Sequence, residues 1–266
     1  MLKGKRLAVL GVGTMGAALL KGLAASGLAI TGTAKRGASK ARIEELGATY
    51  EQDNAQAAAG AEIVVIATKP QVVPQVLQQI KDSIQPGTLV ISIAAGVPTS
   101  RMEADLPEGT PVIRVMPNTP SVLGAGMSVL APGANASEED MALAEALFVA
   151  LGRTAILEEH HMDAVTGLSG SGPAYVYLVI ESLAEAGVKV GIPRDTSTLL
   201  AAQTVLGAAR MVLELGAHPA LLKDAVTTPA GCTVDGLMEL EEGKLRVTLL
   251  KAVVKATERS RELAPD

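Results

Sequence analysis

Residues 7–16 read Leu7-Ala8-Val9-Leu10-Gly11-Val12-Gly13-Thr14-Met15-Gly16. Four apolar residues run without a break into three glycines spaced GxGxxG. A helical pattern follows to about Ser26, where Gly27 offers a C-cap. A strand that turns tightly at Gly11, lets a diphosphate approach the backbone at Gly13 and packs closely on its helix at Gly16 opens a dinucleotide-binding unit. The diphosphate lies there against free N–H groups and the positive end of the helix dipole. Gly11, Val12, Gly13, Thr14, Met15 and Gly16 are therefore the first candidate cofactor contacts.

About 20 residues on, such a unit usually carries an acid that holds the adenosine ribose hydroxyls. Here Thr33-Ala34-Lys35-Arg36-Gly37-Ala38-Ser39-Lys40 stands in that place, and the first acid after the glycines is Glu44. A carboxylate would repel a 2′-phosphate. Thr33 and Ala34 remove that repulsion, Arg36 offers a planar fork and Lys35 a point charge. The electrostatics favour NADP(H), with NAD(H) as the alternative cofactor.

Outward from this unit the strand grammar repeats. Leu28 to Thr33 is a second run, and Ser39 to Leu46 reads as a helix stopped by Gly47. Ile63 to Ala67 and Leu89 to Ile93 are continuously apolar, as strands buried on both faces are. Pro70 to Ile84 is helical in period. Val112 to Met116, Met127 to Leu130 and Thr154 to Leu157 are further strands, and Ser137 with Glu138, Glu139 and Asp140 opens a helix to Leu151. The alternation predicts a parallel, doubly wound α/β sheet over residues 1–158. After that, strand runs cease. Leu199, Ala202, Leu206, Ala209 and Leu213 recur at helical spacing, as do Leu245, Leu249 and Val253. Residues 159–266 therefore read as an all-α domain whose surplus of apolar faces predicts a homodimer built on that half.

Composition removes several function classes. Aromatics are scarce (no Trp, one Phe, three Tyr) and net charge is −5 with no basic block, which argues against a nucleic-acid partner. The apolar stretch after Lys3, Lys5 and Arg6 is broken by glycines and Lys21, and no uninterrupted apolar run approaches the roughly 18–20 residues of a spanning helix. The expectation is a cytoplasmic protein with no membrane partner. The single Cys232 excludes an internal disulfide, suits a reducing compartment, and has no nearby His to make it a nucleophile. Glu158-Glu159-His160-His161 with Asp163 meets no metal template, since adjacent histidines point to different helix faces.

Three further loops fall at predicted strand ends, where ligands of open α/β sheets bind. They are Ala67-Thr68-Lys69-Pro70, Ala94-Ala95-Gly96-Val97-Pro98 and Met116-Pro117-Asn118-Thr119-Pro120. Their small residues let a flat nicotinamide approach, and Asn118 and Thr119 can hydrogen-bond its carboxamide. In the second half, Leu168 to Tyr175 places Gly and Ser, and Thr227 to Thr233 places Gly and Thr, ahead of a helix. Free N–H groups and hydroxyls there make a carboxylate site without any Arg or Lys.

These segments together resemble the pyrroline-5-carboxylate reductase family nearly end to end. The likeness rests on GVGTMG (11–16), IATKPQ (66–71), SIAAGVP (92–98), RVMPNTP (114–120), VTGLSGSGPAYVYL (165–178), GVKVGIPR (187–194), HPALLKDAVTTPAGCTVDGLMELEEG (218–243) and KATERSREL (255–263). The G-S-G-P-A-Y and T-P-x-G-x-T segments are far more specific than the glycine fingerprint. The resemblance implies a Rossmann N-domain and a helical C-domain forming an interlocked dimer, often a decamer. It implies that Gly11 to Gly16 hold the diphosphate and Arg36 the 2′-phosphate, that Asn54 lies near the adenosine, and that Ala67, Thr68, Lys69, Pro70, Ile93, Ala94 and Ala95 follow the cofactor. Thr228 and the N–H groups of Gly231, Cys232 and Thr233 would take the substrate carboxylate, and the Thr233 hydroxyl the ring nitrogen. The implied reaction is hydride reduction of the C=N bond of 1-pyrroline-5-carboxylate to L-proline. Ala230 stands where the family usually has a second glycine, which restricts that turn, and the region around Lys35 varies in such enzymes. Two alternatives remain: a β-hydroxyacid dehydrogenase, whose base would be Lys189 although no K-x-x-x-N follows it, and a non-catalytic NADP-binding redox sensor.

Overall fold

The structure is a computed structural model and describes residues 1–35 and 38–263. It divides into two compact units, Met1–Ser171 with Val254–Asp266, and Gly172–Val253.

The first unit is built on β1 (Arg6–Leu10), β2 (Ala29–Thr33), β3 (Thr49–Glu51), β4 (Ile63–Ile66), β5 (Leu89–Ser92), β6 (Val112–Met116), β7 (Gly126–Pro132) and β8 (Gly152–Ile156), interleaved with α1 (Thr14–Leu23), α2 (Ala38–Glu45), α3 (Asn54–Ala58), α4 (Val73–Ile80), α5 (Thr99–Ala104) and α6 (Glu138–Phe148). The sheet order is β3-β2-β1-β4-β5-β6-β7-β8. Strand order therefore reverses between β2-β1 and β4, the switch point at which open α/β sheets bind ligands.

The apolar runs explain the layering. In a strand, successive side chains face opposite sides. Leu7 and Val9 join Leu19, Leu20 and Phe148 in one core, while Ala8 and Leu10 join Leu77 and Ile80 in another. Ile63 and Val65 repeat the first pattern, Val64 and Ile66 the second. Helices α1 and α6 cover one face of the sheet and α4 the other. With both faces covered, Leu7 to Leu10 and Ile63 to Ile66 are buried throughout and read as unbroken apolar runs.

The sheet is parallel from β3 to β6, as expected. It then departs from the expectation, because β7 is antiparallel to β6 and β8 runs parallel to β7. The physical reason is loop length. Only Pro117 to Ala125 separate β6 from β7, mostly in a 3₁₀ turn (Thr119–Leu123), whereas a parallel crossover takes about a dozen residues or more. The longer β7–β8 connection carries α6 and restores parallel pairing. Helix α6 begins as expected at Ser137, which forms a reciprocal capping box with Asp140.

Strand β3 and helix α3 had no clear sequence signal. Thr49-Tyr50-Glu51 is a three-residue edge strand, and α3 is a single short run of small residues held by its N-cap Asp53, whose carboxylate accepts from the Ala55 and Gln56 amides.

Beyond β8, α7 (Met162–Val165) leads into a π-helical turn (Thr166–Gly170) at the end of the first unit. The second unit contains α8 (Gly172–Lys189), α9 (Arg194–Leu215), α10 (Pro219–Ala225), α11 (Cys232–Glu242) and the start of α12 (Leu245–Leu263). Helices α8 and α9 approach through small residues: the Ser197 hydroxyl donates to the Ala184 carbonyl at 2.6 Å, and a Cβ on Gly187 would collide with Ser197 Oγ. Little else in this unit is buried. Helix α9 is 22 residues long with mean hydropathy 1.3 over its most apolar window, long and apolar enough to cross a membrane by length and composition. It also carries Arg194, Asp195 and an Arg210–Glu214 ion pair at 2.7 Å.

Candidate active site

A cleft of about 840 Å³ lies at the C-terminal ends of β1, β2 and β4. Its floor is the glycine loop. Gly11 has φ +86°, and a Cβ there would run into the Thr68 methyl group. Its amide and that of Val12 donate to the Thr33 carbonyl at 3.2 and 2.7 Å, which ties the loop to the end of β2. Gly13 is different. A Cβ on Gly13 would meet nothing within 4 Å, so no protein atom demands a glycine there. The open space beside it is room for a ligand to approach the backbone. Gly13 is the N-cap of α1 and supplies no side-chain cap, so no capping side chain takes up the first-turn N–H groups of Thr14, Met15 and Gly16, which follow just behind the cleft lining. Thr68 Oγ1 is buried in the same wall with no hydrogen-bond partner. An empty glycine cradle, an uncapped helix and an unpartnered hydroxyl together fit a dinucleotide diphosphate. At Gly16 a Cβ would sit 3.5 Å from Ala67 Cβ and Gly11 O, an ordinary contact, so packing alone would tolerate alanine.

The position of the missing acid is filled by Thr33, which is buried. Its Oγ1 accepts from the Gly11 amide at 3.0 Å and bonds Asn54 Oδ1 at 2.6 Å; Asn54 Nδ2 donates to Gln79 Oε1 at 2.7 Å. Lys35 and Lys69 stand exposed on the lining. Arg36 lies outside the described residues.

Of the sequence-derived cofactor candidates, the cleft brings together Gly11, Val12, Gly13, Asn54, Ala67, Thr68 and Lys69. Pro70 follows as the first residue of a 3₁₀ turn (Pro70–Val72). Ile93, Ala94 and Ala95 lie past the end of β5 and Asn118 past the end of β6, the next strands along from β4. The Asn118 amide is held within the protein: Nδ2 donates to the Ser169 carbonyl at 3.2 Å and Oδ1 accepts from the Met127 amide at 2.9 Å. Sequence reasoning missed Val72, Gln75, Val76 and Gln79, which also line the cleft. Their i, i+3, i+4, i+7 spacing, one face of a helix following the β4 loop, was the available signal.

The acidic-histidine segment also acquires a role. Glu159 accepts from the Thr99 amide at 2.8 Å and from its hydroxyl at 2.5 Å, and pairs with buried Arg114 at 3.4 Å. A carboxylate from 60 residues away thus takes the orphan N–H at the start of α5, whose own N-cap, Pro98, has no side chain to offer. It fixes the far end of the loop that carries Ile93 to Ala95. His160 faces Glu158 at 3.2 Å, and Asp163 accepts from the Ser260 hydroxyl at 2.7 Å.

In the helical unit, Thr228-Pro229-Ala230-Gly231 forms a tight turn closed by the Gly231 amide on the Thr228 carbonyl at 3.0 Å. Its third residue, Ala230, takes φ +58°, a conformation that favours glycine. A Cβ on Gly231 would collide with Thr228 Oγ1. The turn delivers the chain into α11 with Gly231 as N-cap and no side-chain cap, so the Cys232 and Thr233 amides begin the helix unsatisfied by any cap. Cys232 is an exposed free thiol, Thr228 is exposed and Thr233 half-buried. The turn therefore brings Thr228, Gly231, Cys232 and Thr233 together at one helix start.

Two family models match the chain, one in each half. The family model for pyrroline-5-carboxylate reductase dimerisation matches residues 159–263, and that for NADP oxidoreductase coenzyme F420-dependent matches residues 6–96. A pyrroline-5-carboxylate reductase of Methanosarcina acetivorans is 44% identical over 98% of this chain and 99% of its own. One of Glycine max is 42% identical over 97% and 96%. Among solved structures, a pyrroline-5-carboxylate reductase from Coxiella burnetii superposes with a TM-score of 0.92 at 36% identity, covering 98% of each chain. A pyrroline carboxylate reductase from Plasmodium falciparum with NADP bound gives 0.87 at 32% identity over the whole of both chains. Identity at this level over nearly the full length of both chains leaves one assignment: the chain belongs to the pyrroline-5-carboxylate reductase family.

Proposed function

We propose that the chain reduces the C=N bond of 1-pyrroline-5-carboxylate to give L-proline, with NADP(H) as preferred cofactor and NAD(H) as the lesser one. The observation that carries the reading is the uncapped, glycine-tight start of α11 at Thr228 to Thr233, present in a chain that also holds the Gly13 cradle. A carboxylate-bearing substrate and a dinucleotide each find a helix N-terminus prepared for them.

Residues 1–158 form the cofactor domain and 159–266 the substrate and dimerisation domain. The first-turn amides of α1 hold the diphosphate, Arg36 and Lys35 the 2′-phosphate, and Asn54 the adenosine side. Ala67 to Pro70, Ile93 to Ala95 and Asn118 follow the remainder of the cofactor. The amides of Gly231, Cys232 and Thr233, with the Thr228 hydroxyl, take the substrate carboxylate. Thr233 Oγ1 accepts the N–H of the protonated imine and so fixes which ring face is presented. The nicotinamide, when bound, supplies hydride to the imine carbon. With the imine protonated by solvent, the chain's own work is orientation, which for well-aligned reactants accounts for about 7–11 kcal/mol of a barrier.

The exposed apolar faces of the helical half, and of α9 above all, support a homodimer through that half, with a decamer as the higher assembly. On this reading α9 lies against a second copy of the chain rather than in a bilayer, and the protein works in the cytoplasm.

The test is loss of NADPH absorbance with pyrroline-5-carboxylate, run beside NADP⁺ reduction with 3-hydroxyisobutyrate. Turnover in the first assay alone is expected. Turnover in the second favours a β-hydroxyacid dehydrogenase, and turnover in neither favours a redox sensor.

A further inference from the structure

Three hydrogen bonds run in series from the glycine loop to the far wall of the cleft. The Gly11 amide can only donate, and it donates to Thr33 Oγ1 at 3.0 Å. Thr33 is then the donor in its 2.6 Å bond to Asn54 Oδ1. With its carbonyl oxygen committed, Asn54 turns Nδ2 toward Gln79, which answers with Oε1 at 2.7 Å. Gln79 is left with Nε2, a group that can only donate.

At Thr33 this relay passes through the place where an acceptor carboxylate stands in folds that bind unphosphorylated adenosine ribose. Two ribose hydroxyls need an acceptor for their protons, whereas a 2′-phosphate is acceptor on every oxygen. Thr33 has no proton left to give, and its oxygen already takes the Gly11 amide. Gln79 is exposed on α4 and lines the same cleft, as does Lys35. The nearby carboxylate of Asp53 has Oδ1 turned to the α3 amides at 2.7 and 3.1 Å.

We propose that Gln79 is a specificity-determining residue for the cofactor: oriented by the Gly11–Thr33–Asn54 relay, its Nε2 donates to the 2′-phosphate of a nicotinamide dinucleotide. The inference rests on the cleft being a dinucleotide site. It places part of the cofactor preference on a helix face about 45 residues beyond β2, as a neutral amide that shares the cleft with Lys35.

The test is equilibrium titration of the full chain with NADPH and with NADH, followed by cofactor fluorescence and with no imine present. Gln79→Glu replaces the donor by an acceptor and should weaken NADPH roughly tenfold or more while leaving NADH unchanged or tighter. Gln79→Met keeps the length, removes the donor, and should weaken NADPH several-fold with NADH unchanged. Because Gln79 is exposed, both variants should melt with the wild type, and that is checked by circular dichroism. Equal effects on the two cofactors, or none, overturn the proposal. A wild-type chain that titrates with neither dinucleotide overturns the cofactor reading itself, a result distinct from tight binding that ignores Gln79.

Discussion

Leu7, Val9 and Leu10 in the sheet unit are at most 1% exposed, whereas Leu199, Leu206 and Leu215 in the helical unit are 67, 53 and 65% exposed. The sheet unit covers both faces of its strands with its own helices. The helical unit buries Ala184, Ser197 and Ala201 between α8 and α9 and leaves large side chains in water. Full burial of a leucine is worth about 1.5–3 kcal/mol, so a partner that covered even a handful of these would rival the whole stability of an ordinary domain. The contrast separates a unit complete in one chain from a unit whose sequence is written for two. The Gly13 cradle belongs to the first and the Thr228–Thr233 turn to the second.

That contrast breaks most visibly at Leu206. In a monomer, Leu206→Glu is a harmless surface change. If α9 faces a second copy, it buries an unpaired charge and should abolish self-association, with loss of helical signal on heating at lower temperature. Sedimentation velocity and circular dichroism read both effects. An unchanged sedimentation coefficient would remove Leu206 from the interface.

Within the sheet unit the strongest local effect is expected at Glu159. Glu159→Ala strips the amide cap from α5 and leaves buried Arg114 without its counter-charge. It should destabilise the unit by about 3 kcal/mol, the low end for breaking a buried pair because Glu159 is itself 26% exposed on its side chain. Chemical denaturation monitors the loss.

The glycine loop sharpens the comparison between fold and ligand. Gly13→Ala should leave stability within about 1 kcal/mol of wild type, since its Cβ meets nothing, yet should cripple NADPH binding. Gly11→Ala should damage both, because positive φ and the collision with Thr68 act before any ligand arrives. If Gly13→Ala binds NADPH as wild type does, the cradle is not the diphosphate site. The smallest effect is a gain: Ala230→Gly relieves the strain of φ +58° and should stabilise by up to about 1 kcal/mol, read as a higher midpoint of thermal unfolding.

Much of this was legible in the sequence where a local rule decides the outcome. Ile63 to Ile66 had to be a strand buried on both faces, and Ser137 with Asp140 had to open a helix. The glycine fingerprint carried the loop, and the T-P-x-G-x-T segment the turn before α11. Reversal of β7 was hidden because periodicity gives a strand no direction; only the brevity of Pro117 to Ala125 does. Thr49 to Glu51 escaped because an edge strand of three residues has no buried run to display. The Glu159 cap joins residues 60 apart, and the Thr33–Asn54–Gln79 relay spans three separate elements. No spacing rule reaches such contacts, and they exist only once the sheet has brought its strand ends together.

The division of labour between the two units is tested most directly by Thr233→Ala, measured in two ways on the same preparation. If the α11 turn serves the substrate and the sheet cleft the cofactor, kcat/KM for pyrroline-5-carboxylate should fall roughly tenfold or more, the loss of one hydrogen bond to a charged group, while NADPH affinity stays at its wild-type value. Unchanged turnover, or an equal loss of NADPH binding, would contradict the assignment of substrate chemistry to the helical unit.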